Sequence, residues 1–297
     1  MRRYAVVFLH LFVISSCGST DFDADKAWEY LQAQLAFGPR NPGDEGHRLC
    51  LRFLEAELKK YAHSLELQPF SAVLPGTSRT VSLSNIIAEF YPEHRRKILL
   101  CAHWDTRPWA DQDADPQNRG EPIPGANDGA SGVAVLLEIA RCLASKDPGI
   151  AVEIALFDGE DMGREGDLDE YLLGSREYAA RLRLPLPEAA LLLDLVGDRD
   201  LRIPQELYSL QNSAALVREV FDIAASLGKT EFDPHPGMAV YDDHIPLMQA
   251  GIPVVNLVDF DYEFWHTLQD VEQNCSAASL KAVGDVVLTW IYQRGKP

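Results

Sequence analysis

Asp158, Glu160 and Asp161 place three carboxyl groups within four residues, directly after the apolar run Val152 to Phe157. Carboxylates so close repel one another at neutral pH, and are held together by a bound cation or by protons kept through a raised pKa. A solvated acidic turn is the alternative for these residues taken alone. Other reactive side chains fall at comparable points. His103 and Asp105 follow the run Ile98 to Ala102, Asp128 precedes a helical stretch, Asp194 interrupts an apolar run, and His266 follows the run Ile252 to Val258. An unpaired carboxylate within an apolar strand is costly. Two imidazoles with several carboxylates suit zinc, a borderline-soft ion that takes nitrogen and oxygen ligands. Singly, His103 reads as a core histidine, Asp128 as a helix cap, Asp194 as the partner of an arginine and His266 as a loop residue. Their coincidence at successive strand ends points to one shared site.

The spacing of apolar side chains shows which elements must position them. Lys26 to Phe37, Asp44 to Tyr61, Ser131 to Ala144, Ser213 to Leu227 and Ser279 to Tyr292 have helical periodicity, and Leu168 to Leu182 is mostly helical. Val81 to Tyr91, Ile98 to Ala102, Val152 to Phe157, Ala189 to Val196 and Ile252 to Val258 read as strands. Strands that are apolar throughout, alternating with helices, imply a mostly parallel sheet covered on both faces. Ligands of such sheets collect at the carboxyl ends of the strands. The segment His103 to Gly132 is long, polar and rich in Gly, Pro, Asp and Asn, as functional loops are.

The 297 residues carry a formal net charge of −18, which argues against nucleic-acid binding, since that needs a basic footprint. Residues 1–16 read as an export signal, with Arg2 and Arg3 before an apolar run, Tyr4 to Ile14, that is too short to span a bilayer. Ser15-Ser16-Cys17 resembles a lipobox, so Cys17 is expected to be acylated. Residues 17–25 then form a linker that tethers the exported protein to a membrane surface; an ordinary cleaved signal is the alternative. Cys50, Cys101, Cys142 and Cys275 permit disulfides or buried thiols. With no internal repeat and no second core, residues 26–297 read as one catalytic domain.

Seven motifs carry a resemblance to a known family: Ala102-His103-Trp104-Asp105, Gly125 to Gly132 (GANDGASG), Phe157 to Asp161 (FDGED), Gly174-Ser175-Arg176, Leu193-Asp194-Leu195, Asp242 to Pro246 (DDHIP) and Trp265-His266-Thr267. The chain resembles the M28 clan of zinc peptidases, and within it the glutaminyl cyclases, including bacterial forms. The resemblance implies a three-layer α/β/α sandwich around a mostly parallel, mixed sheet, of the zinc-dependent aminopeptidase type. It implies zinc held by Asp128, Asp161 and His266, and Glu160 as general acid and base. The family often has Glu where Asp161 stands.

The activity implied is conversion of an N-terminal glutamine to pyroglutamate with release of ammonia, on peptides or proteins with a free N-terminal glutamine. One zinc ion is the expectation. In the clan's two-zinc aminopeptidases a second ion uses His103, Asp194 and a bridging Asp128, and this chain has all those ligand types. Two features favour the cyclase branch. Asp242 stands where aminopeptidases usually carry Ser, and in cyclases that Asp joins the residue matching Asp194 in a hydrogen-bonded acidic network. Trp265 matches a cyclase pocket wall. The tryptophan that vertebrate cyclases carry after the paired acids is absent, Gly166 lying near its place, so Trp104 and Trp109 are candidates for that wall, with core packing as their other reading. The alternative function is a di-zinc aminopeptidase; a non-enzymatic surface module with the same fold is the third.

Overall fold

The computed structural model describes residues 21–164 and 166–296. The expected export segment and Cys17 lie outside the described residues. Eight strands and seven α-helices follow in the order α1 (Ala24–Leu35), α2 (Glu45–Lys59), β1 (Ser64–Val73), β2 (Thr80–Phe90), β3 (Lys97–His103), α3 (Ala130–Ser145), β4 (Ala151–Phe157), α4 (Leu173–Arg181), β5 (Ala190–Asp194), β6 (Ile203–Gln205), α5 (Leu207–Ser226), β7 (Phe232–Pro236), α6 (His244–Gln249), β8 (Val254–Val258) and α7 (Ala277–Arg294). The central sheet has the order β1-β2-β4-β3-β5-β8. The pairs β4-β3, β3-β5 and β5-β8 are parallel, whereas β1-β2 and β2-β4 are antiparallel. The sheet is therefore mixed, with its parallel half on the side of the reactive residues. β6 and β7 form a separate two-stranded ladder.

Alternate residues of β3 divide between the two faces. Ile98, Leu100 and Ala102 join a core with α1, α2, α3, α5 and α7, while Leu99 and Cys101 pack with Tyr178 of α4 and Leu247 of α6. The three-layer α/β/α arrangement follows, because a strand buried on both sides has no polar face to give to water. The buried Glu153 in β4 is matched by Lys97 at 2.7 Å, which removes the cost of an unpaired buried charge.

Besides the short β6, β7 and α6, which the apolar spacing did not mark, two longer elements depart from the expectation. β1 is not among the expected strands: Pro69 removes a ladder donor, and such a strand survives only at a sheet edge, where β1 lies. α5 begins at Leu207 instead of Ser213, because Glu206 caps it by accepting from the amides of Tyr208 and Ser209 at 2.9 and 2.6 Å. Ser213 is a non-helical kink within α5, and its Oγ accepts the Val254 amide, as Ser209 accepts that of Asn256. The helix thereby covers the exposed edge of β8, which would otherwise present open amides.

Candidate metal centre and substrate cavity

The carboxyl ends of β3, β4, β5 and β8 bring His103, the 158–161 turn, Asp194 and the loop to His266 together. Asp128 arrives from the loop before α3. The helix is capped by Gly129 and takes no side-chain cap, so Asp128 is free of the capping role. Gly129 has φ +95, and a Cβ there would meet the Asp105 carbonyl oxygen at 2.5 Å, so only glycine lets this loop approach β3. His266 and Leu195, the residue after Asp194, are non-glycine residues with positive φ of 55° and 51°. Strained backbone of this kind persists where surrounding contacts dictate it, and here it lies beside the reactive side chains.

Two triads of potential ligands share Asp128: Asp128 with Asp161 and His266, and His103 with Asp128 and Asp194. His266 Nε2 lies 3.1 Å from Asp161 Oδ2 and 3.5 Å from Asp128 Oδ2. Both of those buried oxygens lack a hydrogen-bond partner. Buried anionic oxygens without donors are costly, and a cation between them removes the cost. The nitrogen and oxygen donors fit zinc. In the second triad, His103 Nε2 lies 3.1 Å from Asp194 Oδ1 and 3.2 Å from Asp128 Oδ1.

Electrostatics follow from this crowding. Burial alone would lower the pKa of His266, but the carboxylates of Asp161, Asp111 and Asp128 raise it to about 9. Burial would also lower the pKa of His103, but the neighbouring carboxylates of Asp105, Asp128 and Asp194 outweigh it and raise it well above the ordinary histidine value. Glu160 is pushed well above the ordinary range by burial and by Asp161, with Asp242 and Asp243 adding repulsion. Asp242 is raised to about 6 by burial and by Asp194.

Supporting residues fix these groups. Asp105 is fully buried and accepts the amides of Glu160 at 3.0 Å and Asp161 at 3.3 Å, clamping the acidic turn. Asp270 accepts the amides of Asn127 and Asp128 at 2.8 and 3.1 Å, and the Tyr262 hydroxyl at 3.0 Å. Asp158 points away from the cavity, accepting from the Ser84 amide and lying 2.8 Å from His47 Nε2. Asp270 carries no sequence signal of its own, since the amides it holds lie more than 140 positions away; the same is true of the bond of 2.7 Å from Arg107 to Asp161, 54 positions on.

A cavity of about 350 Å³ lies above the turn, lined among others by Glu160, Asp161, Asp194, Asp242, Trp265 and His266. Trp265 stacks on His266 with ring centroids 3.6 Å apart. Gly166 also lines the cavity, with open space where a Cβ would stand. Trp104 is not a wall of it. That side chain is fully buried, stacks on His47 at 4.4 Å and donates to the Ser84 carbonyl oxygen. Trp109 does not line the cavity either; Arg107 and Arg164 lie over its ring at 5.7 and 5.5 Å. Trp104 follows its core-packing reading, whereas Trp109 is half-buried beneath the two arginines and belongs to neither the cavity wall nor the core. Asp194 and Asp242 both face the cavity but share no hydrogen bond, because Asp194 is drawn to His103 and Asp242 accepts from Asn256 at 2.7 Å.

Known proteins are similar to this chain in sequence and fold. The solved Porphyromonas gingivalis glutaminyl cyclase is similar with a TM-score of 0.88 and 36% identity, covering 92% of this chain and 99% of that one. A solved Zn-dependent exopeptidase from Parabacteroides distasonis has a TM-score of 0.87 and 37% identity, with the same coverage of 92% and 99%. The glutaminyl-peptide cyclotransferase of Gloydius blomhoffii is 25% identical over 86% of this chain and 77% of its own length. The model of peptidase family M28 matches residues 85–291, which take in every strand end described above, and the chain belongs to that family.

Proposed function

We propose that the chain is a zinc-dependent glutaminyl-peptide cyclotransferase, converting an N-terminal glutamine to pyroglutamate with release of ammonia. The observation that carries this is the 36% identity to the Porphyromonas gingivalis glutaminyl cyclase over 92% of the chain. The presence of Asp242 and Trp265 on the cavity wall supports it. Asp128, Asp161 and His266 would hold the zinc, whose Lewis acidity would act on the γ-carbonyl of the glutamine. Trp265 offers a flat apolar wall to the glutamine side chain. Glu160 takes a proton from the α-amine as that nitrogen bonds to the side-chain carbonyl carbon. It then returns the proton to the departing amide nitrogen, which leaves as ammonia. A residue used first as base and then as acid needs a pKa near the working pH, and the raised pKa of Glu160 has that sense. Asp242 acts on it as neighbouring negative charge and shares no hydrogen bond with Asp194, which is bonded to His103.

A di-zinc aminopeptidase is the second reading, favoured by the triad His103, Asp128 and Asp194 and by the likeness to the Parabacteroides exopeptidase. Ammonia release from glutamine-initiated peptides, set against cleavage of aminoacyl chromogenic amides, separates the two. Ammonia without amide cleavage, at about one zinc per protein, is the expected result. Amide cleavage without ammonia, at two zinc ions, would overturn it. Export with lipid anchoring at Cys17 belongs to the same proposal and rests on the sequence around it; no helix among the described residues is long and apolar enough to cross a membrane. If it is right, Cys17→Ser moves the protein out of the membrane fraction.

A further inference from the structure

The cavity above Glu160 shares a wall with a second cleft of about 280 Å³, since Val240 and Phe260 line both. Pro204, Pro236, Met238 and Val258 supply the cleft's other apolar side chains, beside the charged Arg202, Glu206 and Asp261. Six large apolar side chains are exposed among the described residues. Half of them, Leu168, Tyr241 and Met238, stand at these two cavities, with Met238 52% exposed. Apolar surface concentrated in this way marks a binding region more often than chance.

The cleft is preformed. The Leu207 amide donates to the Met238 carbonyl oxygen at 2.9 Å, and the Gly237 amide donates to that of Gln205 at 2.8 Å. The Val240 amide donates to Glu206 at 3.1 Å. A Cβ on Gly237 would meet Pro204 at 2.6 Å, so this segment is packed down onto its neighbour. An aromatic path joins the cleft to the reactive centre: the ring of Phe260 lies 4.9 Å from that of Trp265, which lies 3.6 Å from that of His266. An extended peptide advances about 3.3 Å per residue, so roughly two or three residues carry it across Phe260. The charges at the rim, Arg202 and Asp261, are of opposite sign and lie 3.8 Å apart, so neither sign of substrate charge is favoured. Glu206 is engaged by three backbone amides and by His244.

We propose that this second cleft is an extended subsite that takes an apolar side chain at the third or fourth residue of a peptide whose N-terminal glutamine occupies the first cavity. The proposal rests on the cyclotransferase reading. It is tested on the zinc-loaded full chain with the dipeptide Gln-Gly-amide and with Gln-Gly-Leu-Ser-amide, Gln-Gly-Ser-Leu-amide and Gln-Gly-Ser-Ser-amide. One leucine peptide should exceed the serine peptide about tenfold in kcat/KM, with the gain in KM and kcat little moved. In Met238→Ser that preference should shrink by several-fold. Equal kcat/KM for all peptides, with the dipeptide turned over, would overturn the subsite and leave cyclisation standing. No ammonia from any of them would overturn both.

Discussion

Arg107 donates from Nη1 to Asp161 Oδ1 at 2.7 Å, while Oδ2 of the same carboxylate faces His266 with no hydrogen bond. One oxygen is thus bound by the protein and the other left for a cation. The same guanidinium holds Asp111 through two bonds of 2.8 and 2.6 Å, and Asp111 lies 3.5 Å from His266 Nδ1. Arg107 therefore anchors two of the proposed ligands, one directly and one through Asp111. Partners of this kind orient metal ligands and set their basicity.

Arg107→Met removes a cation that helps keep Asp161 ionised, its pKa lying below the ordinary aspartate value because His266 and Arg107 outweigh burial. A less acidic Asp161 binds protons in competition with zinc. The variant should lose zinc to a chelator at higher pH than the parent, by about 10-fold in affinity near pH 6. It should also be destabilised by about 3 kcal/mol, because buried carboxylates lose their partner. Zinc content against pH at fixed chelator, with urea unfolding alongside, measures both. Equal zinc retention in the two proteins would refute the anchoring role.

Glu160→Gln keeps the shape of the side chain and removes its ability to carry a proton. Ammonia release should fall by about 10²–10⁴-fold. Zinc content should stay at the parent's level, because Glu160 belongs to neither ligand triad. Elemental analysis beside a coupled ammonia assay checks the two together. Full activity in a zinc-loaded variant would remove Glu160 from the mechanism.

Much of this centre was legible because its residues interrupt strong local patterns. Val152 to Phe157 is an apolar run, and the polar turn after it could be placed at a strand end from sequence spacing. His266 and Asp194 stood out in the same way. The roles of the supporting groups were not legible, even for Asp105, whose place after a strand was. Asp105 clamps the amides of Glu160 and Asp161 across 55 and 56 positions, and Asp270 holds Asp128 across 142. A carboxylate's backbone partners leave no periodicity in the sequence. Trp104 and Trp109 show the same limit from the other side: an aromatic residue beside a motif has the same sequence signal whether it faces the cavity or the core. The antiparallel edge strand β1 was hidden by Pro69, and the first turns of α5 by the kink at Ser213.

Asp259 gives stability a pH dependence of known sign. Burial first, then Asp198 and Asp261, raise its pKa to about 7, although its Oδ2 accepts the Arg202 amide at 2.8 Å. The folded state therefore binds this proton more tightly than the unfolded chain, whose aspartate titrates near 3.9. The stabilisation is fully present below about pH 4 and is lost as pH rises through about 7. At about 1.4 kcal/mol per pKa unit, the loss is on the order of 2–4 kcal/mol. Asp259→Asn should remove this component, so its stability relative to the parent should rise between pH 4 and 7. Urea unfolding of both proteins across that range measures the difference. Parallel stability curves would show that Asp259 does not titrate there.

The four cysteines of the described residues are free thiols, and all are buried. Of the two sequence expectations, the structure follows the buried-thiol one. Cys101 sits in β3 and Cys142 in α3, each inside a packed layer. Burial pushes the thiols of Cys50 and Cys142 up to about 12, so almost no thiolate is present at neutral pH. A thiol reagent needs both thiolate and access, and here it has neither. The native protein should react with a chromogenic disulfide reagent at a rate set by unfolding. All four thiols should then become titratable in denaturant, without prior reduction. A melting temperature unchanged by reductant would agree, since a disulfide would typically contribute about 2–4 kcal/mol. A large drop in melting temperature with reductant, together with missing thiols in denaturant, would show that two of these cysteines pair.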